Sequence, residues 1–182
     1  FKNLQLYRFT KPFTLSAENI HQLLAEHSFQ PCGSQDRSKI GWVPPLGEQA
    51  SEYVHVANGY MLVCCKKQDK VLPAAAVNEA LEEKIADIQR EEARKVGRKE
   101  RMQLKDDILI TMLPRAFTRS SNHYAYFAPA EGMLVVNTAS ASRADELVSS
   151  LRDALGSLPV IPVISRNIPQ QAMTQWLKQG HV

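Results

Sequence analysis

Between Pro73 and Pro114 the chain reads PAAAVNEALEEKIADIQREEARKVGRKERMQLKDDILITMLP, a stretch rich in Ala, Glu, Lys and Arg and almost free of β-branched runs. Such a segment is helical. Pro73 suits a first helical turn, where its missing N–H costs nothing. Val77, Leu81, Ile85 and Ile88 form an apolar stripe on a first helix, and Leu104, Ile108 and Met112 form another on a second, shorter one. Gly97 weakens the junction, because glycine costs a helix interior about 1 kcal/mol. The expectation is a helical hairpin inserted into a sheet-containing body.

The flanking texture is that of strands. FKNLQLYRF alternates apolar and polar residues and reads as a strand. Ser16 caps a helix, SAENIHQLLAEHSF, whose Ile20, Leu23, Leu24 and Phe29 recur at roughly helical spacing. PCGSQDRSKIGWVPPLGE is dense in Gly, Pro and Ser and reads as loop, with a short strand at 40–43 and Trp42 as a core anchor. Strands near 53–57 and 60–66 are joined by Asn58-Gly59, a strong hairpin signal. After the helical segment come HYAYFA, a turn at Glu131-Gly132, and MLVVNTA. A helix over SASRADELVSSLRDALGS aligns Leu147, Leu151 and Leu155, and LPVIPVI is an edge strand in which Pro162 is tolerated. MTQWLKQG, around Trp176, reads as an amphipathic terminal helix. The fold class expected is α+β: an antiparallel sheet body flanked by helices, built from 1–72 and 121–182, with 73–120 as the inserted finger and its tip.

At 182 residues the chain can bury a substantial core. Its 44% hydrophobic and 23% charged residues exclude wholesale disorder. A net charge of +3 neither demands nor excludes a polyanionic partner, so the placement of charge matters more. Cys32 and the adjacent Cys64 and Cys65 make no disulfide framework, which points to a cytosolic protein with reduced thiols. No apolar run approaches the roughly 20 residues of a membrane span. There is no signal-peptide pattern, and a start on Phe1 rather than Met reads as trimmed.

Charge within the helical segment is polarised. Glu79, Glu82, Glu83, Asp87, Glu91 and Glu92 crowd its first half. Arg94, Arg98, Arg101 and Lys105 follow at i, i+4, i+7 and i+11, with Lys95 and Lys99 beside them. If helix persists through Gly97, these cations share one face. That face is either a solvated surface with i, i+4 ion pairs such as Glu91–Lys95, or an arm laying cations along a phosphate backbone. Arg115, Arg119, Lys66, Lys67 and Lys70, near the ends of the insertion, could extend the second kind of surface. Phe117, between Arg115 and Arg119 in LPRAFTRSSN, is either a core side chain or an apolar tip turned outward.

Enzymatic readings have less support. Glu82-Glu83-Lys84 has the E-x-K order of some metal-dependent nucleases, but on a helix rather than a strand. Asp106 and Asp107, adjacent on a helix, point about 100° apart. His21, His27, His55, His123 and His181 lack metal-ligand spacing, and Ser34 lacks a nucleophile elbow. No catalytic set, metal site or cofactor is expected.

FKNLQLYRF, PCGSQDRSKIGWVPPLG, HVANGYMLVC, LPRAF and LRDALGSLPVIPV, in this order and spacing, resemble the bacterial recombination-associated RdgC family from Phe1 to about Trp176. The resemblance implies a non-enzymatic, nucleoid-associated protein that binds double-stranded DNA, either alone or together with single strands, without sequence preference. It implies a ring-shaped homodimer with a positively charged hole, restraining the RecA recombinase by occupying DNA. The alternative is an interaction module that grips a recombination protein directly. Phe117 matches the aromatic of the family's PRAF motif at a contact between subunits, and Arg94 matches a basic position on its helical finger. The resemblance also implies a further α/β portion beyond Val182, so the chain is expected to be a shortened form.

Overall fold

The computed structural model describes residues 2–47, 49–164 and 169–179, with 169–172 as backbone only. Phe1 and His181, which figured in the sequence reading, lie outside the described residues. In chain order the elements are β1 (Gln5–Phe9), α1 (Ala17–Glu26), β2 (Ser38–Val43), β3 (His55–Ala57) and β4 (Tyr60–Val71). Then come α2 (Ala74–Glu92), α3 (Arg98–Met112), a 3-10 turn (Leu113–Arg115), β5 (Phe117–Ala128), β6 (Met133–Val136), α4 (Ala141–Leu155), β7 (Val160–Pro162) and α5 (Pro169–Gln179). The strands form one sheet in the order β2-β4-β5-β6-β1-β7, with β3 also on β4, and every pairing is antiparallel. This is an α+β fold.

Alternation along the strands puts Tyr7, Trp42, Met61, Val63, Cys65, Ala125, Phe127, Leu134 and Val136 on one face, where α1 and α4 cover them. Trp42, 1% exposed, is the core anchor expected of it, and it sits within β2, which begins two residues before the short strand expected at 40–43. Ile20 and Leu24 of α1 meet Leu147, Leu151 and Leu155 of α4 over this face. Tyr7 donates its hydroxyl to Asp145 Oδ1 at 2.8 Å, which joins β1 to α4; burial, with that carboxylate beside it, pushes the phenol up to about 12.

Local chemistry fixes the boundaries. Ser16 Oγ accepts from the Asn19 N–H and Ser140 Oγ from the Arg143 N–H, capping α1 and α4. Asn58 and Gly59 both adopt positive φ, as the tight hairpin between β3 and β4 requires. Gly41 lets β2 pass against Phe29: a β-carbon there would lie 2.4 Å from the Phe29 Cα. Cys64 and Cys65 are buried on opposite faces of β4, and burial pushes their thiols up to about 11 and about 12. They serve as small apolar side chains.

Several boundaries depart from the sequence reading. β1 starts only at Gln5, while β4 runs to Val71 and β5 starts at Phe117, well before HYAYFA. The added parts, KQDKV and FTRSSN, pair residue for residue from Lys67↔Ser121 to Val71↔Phe117, with Asn122 opposite Lys66. They lack apolar alternation because this end of the ribbon extends past the helix-covered core.

Candidate nucleic-acid interface

The base of the helical segment is built from Lys70. Its ammonium donates to the Leu113 carbonyl at 2.9 Å and the Ser34 carbonyl at 2.7 Å, tying the end of α3 to the 33–36 loop. The Leu113 carbonyl, which also accepts from the Ala116 N–H, thereby gains a second donor at the helix end. Lys70 is therefore a structural tie rather than an extension of a cationic surface. Above it, Val77, Leu81 and Ile85 of α2 are buried where α2 and α3 pack together, and no residue of α3 is fully buried.

The four-cation stripe expected from an unbroken helix does not form. α2 stops at Glu92, Ala93 takes a left-handed conformation (φ 50°), and Gly97 becomes the N-cap position of α3. Arg94 and Lys95 therefore lie in the connection. Arg94 makes a bidentate pair with Glu100 at 2.6 and 2.7 Å and a further bond to Glu92. These partners, Glu100 foremost, raise the Arg94 pKa above the ordinary arginine range, and Arg94 in turn lowers that of Glu100. Arg101 pairs with Glu82 across the two helices. The physical reason lies in the polarised sequence itself: packing α2 on α3 brings the acidic half beside the basic half, so part of each neutralises the other.

Other cations keep their charge exposed. Lys95, Arg98, Lys99, Lys105, Arg115 and Arg119 are exposed, and none has a carboxylate oxygen within 4.0 Å among the described residues. Phe117 is 86% exposed at the first position of β5, two residues from Arg115 and from Arg119, and it pairs with the exposed Val71. Of the two readings of this aromatic, the outward tip is the one observed. Lys66 lies on the opposite face of β4 from Lys67, with its ammonium 5.1 Å from the centroid of the Phe29 ring.

Lys67 leads to a feature that sequence reasoning missed. It lines a polar cleft of about 290 Å³ together with Asp69, Arg119, Ser121, His123, Arg143 and Glu146, where β4 and β5 meet α4. Lys67 donates to Glu146 at 2.6 Å and sits 3.8 Å from Asp69, and the Glu146 bond raises its pKa. Ser121 Oγ and His123 Nε2 are 3.0 Å apart. Burial, and then the positive charge of Arg143, hold the imidazole below its ordinary pKa. A Ser-x-His step on one face of a strand was the available signal, but the strand was not read as far as Ser121. Elsewhere, Glu82, Glu83, Asp106 and Asp107 are on helices as expected, and no cluster of three His, Cys, Asp or Glu suited to a metal ion occurs among the described residues.

Comparison with known proteins places this geometry in a lineage. A family model described as "Putative exonuclease, RdgC" matches residues 1–182. Proteins named "Recombination-associated protein RdgC" are similar throughout: that of Tolumonas auensis is 50% identical over 180 residues, covering 99% of this chain and 60% of the relative. That of Aeromonas hydrophila is 47% identical over 182 residues, covering 100% and 60%, and that of Psychromonas ingrahamii is 43% identical with the same coverage. The chain thus spans about 60% of the length of the curated relatives it matches. With a match over its whole length and about half its residues shared with these relatives, the chain belongs to the RdgC family.

Proposed function

We propose that this protein binds double-stranded DNA through backbone phosphates, without sequence preference, and limits recombination by denying RecA access to the duplex. The carrying observation is the group of exposed cations with no carboxylate partner among the described residues, Arg98, Lys99 and Lys105 on α3 and Arg115 and Arg119 around Phe117. Cations already paired release fewer counterions on meeting phosphate, so Arg94 and Arg101 contribute less than their positions on the arm suggest. The side chains are long and flexible and present no base-reading set, which suits contact with the backbone rather than base edges. The relatives' name, recombination-associated, agrees with a role on DNA.

Phe117 supports a second element of the proposal, a homodimer whose subunits meet through this aromatic and close a ring around DNA at the nucleoid. Phe117 and its exposed cross-strand partner Val71 present apolar surface at the end of the ribbon that a pocket on a second copy would bury. The proposed activity is binding and not catalysis. Duplex affinity of the purified chain, measured over a salt series, should fall with a log–log slope of about −0.9 for each phosphate contacted. No measurable affinity without an added protein would replace this reading with that of a partner-gripping module. Cleavage of DNA on incubation with Mg²⁺ would make the chain a nuclease.

A further inference from the structure

We propose that the cleft formed by Lys67, Arg119, Ser121, His123 and Arg143 is a phosphate-binding site whose occupancy is coupled to the protonation of His123. The placement of the two acids is the first reason. Asp69 and Glu146 both line the cleft, yet both are engaged with the Lys67 ammonium. Arg119 and Arg143 line the same space, and neither guanidinium has a carboxylate oxygen within 4.0 Å among the described residues. A guanidinium offers a planar fork of donors that matches phosphate oxygens, so the cleft holds donor capacity that its own acids do not use. Its volume of about 290 Å³ accommodates a phosphate group with several waters, each taking ~30 Å³.

The Ser121–His123 contact supplies the coupling. A neutral imidazole has one donating and one accepting nitrogen, whereas imidazolium donates from both. Once His123 is protonated, Nε2 must donate to Ser121 Oγ across their 3.0 Å contact. The Ser121 O–H is then free to donate into the cleft. Protonation therefore adds a positive charge and, from the tautomer whose neutral Nε2 accepts the Ser121 O–H, redirects that hydroxyl donor toward the same anion. The charged groups facing the imidazole are Arg143 and Glu146 from α4 and Lys67 and Asp69 from β4, with Arg119 further along its own strand. With His123 neutral, three cations face two carboxylates; with it charged, four do. A dianionic or monoanionic phosphate is favoured in both states and more so in the second.

The phosphate could belong to a DNA backbone, which rests on the function proposed above, or be a free phosphate ion. The ring resonances of the histidines in the intact chain, with His123 assigned by comparison with His123→Gln, would be titrated from about pH 5 to about pH 8 at constant ionic strength. One series uses chloride alone, one adds inorganic phosphate, and one adds a short duplex without terminal phosphates. The expected result is a rise of about one unit in the His123 pKa with a phosphate source, equivalent to about tenfold tighter binding by the protonated form. Arg143→Gln, an exposed α4 position, should abolish that rise while leaving the remaining histidine signals in place. A rise with the duplex assigns the site to the DNA backbone, and a rise with inorganic phosphate alone assigns it to a free ion. Duplex binding with His123 unmoved by either probe overturns the cleft and leaves the DNA reading standing. A rise with inorganic phosphate and no duplex binding sustains the cleft and removes the DNA reading.

Discussion

Phe117 is held outside the core of the chain, 86% exposed. It begins β5 at the end of a ribbon whose neighbouring residues, Thr118, Arg119 and Ser120, are themselves exposed, and its cross-strand partner Val71 is 43% exposed. Its side chain consequently adds little to the stability of the isolated chain. Phe117→Asp should leave the unfolding free energy within about 0.5 kcal/mol of the parent, the usual range for surface changes. If the aromatic docks into a second copy, the same substitution should weaken self-association by about tenfold or more, since buried aromatic anchors carry a large share of interface energy. Sedimentation across a concentration series reads both species. An unaltered dimer fraction would remove Phe117 from the interface, and loss of cooperative melting would place it in the core instead. Lys70 shows the contrasting case of a charged side chain spent on structure, its ammonium committed to two carbonyls at the base of the helical segment.

At the scale of elements, α2 and α3 separate cations by their partners rather than by their spacing. Arg101 is committed to Glu82 and Arg94 to Glu100, whereas Arg98, Lys99 and Lys105 are not. Replacing Arg98, Lys99 and Lys105 together by Gln should reduce the magnitude of the DNA salt slope by up to about 3, at about 0.9 per phosphate lost. Replacing Arg94 and Arg101 should change the slope far less; exposed pairs of this kind contribute about 0.2–1 kcal/mol to stability. Equal slopes for the two variants would mean that DNA opens the ion pairs on binding. Legibility in the sequence divides along the same line. Ser16, Asn58-Gly59 and the Val77–Leu81–Ile85 stripe act through neighbours three or four residues away, so a local pattern reveals them. The fate of the cationic stripe depends on Ala93 turning left-handed and on Glu82 arriving from the other helix, nineteen residues distant from Arg101. The cleft depends on register: β4–β5 pairing sets Lys67 opposite Ser121 and Cys65 opposite His123, and α4 then brings Arg143 and Glu146. No window of the sequence contains these groups together.

For the molecule as a whole, one face of the sheet is closed by α1 and α4, and the cleft lies on that same side, where the apolar core gives way to the polar ribbon. His123 stands at this transition, paired across the ladder with the buried Cys65. Its position makes global stability depend on pH with a definite sign. Burial and Arg143 lower its pKa from the ordinary 6.5, so below that value the unfolded chain binds a proton that the folded chain resists. The resulting stability is fully present above about pH 6.5 and is lost as pH falls toward the depressed folded value. Melting curves in a phosphate-free buffer should therefore decline between about pH 6.5 and about pH 5 more steeply for the parent than for His123→Gln, and run parallel above about pH 7. Below about pH 5 the carboxylates dominate, including Glu100, whose own pKa is lowered by Arg94. An anion seated in the cleft opposes the loss, because it favours the imidazolium in the folded state alone. Inorganic phosphate at matched ionic strength should consequently flatten the parent's decline and leave that of His123→Gln unaltered. Equal flattening of both curves would mean that the anion acts on the protein surface at large and not at this histidine.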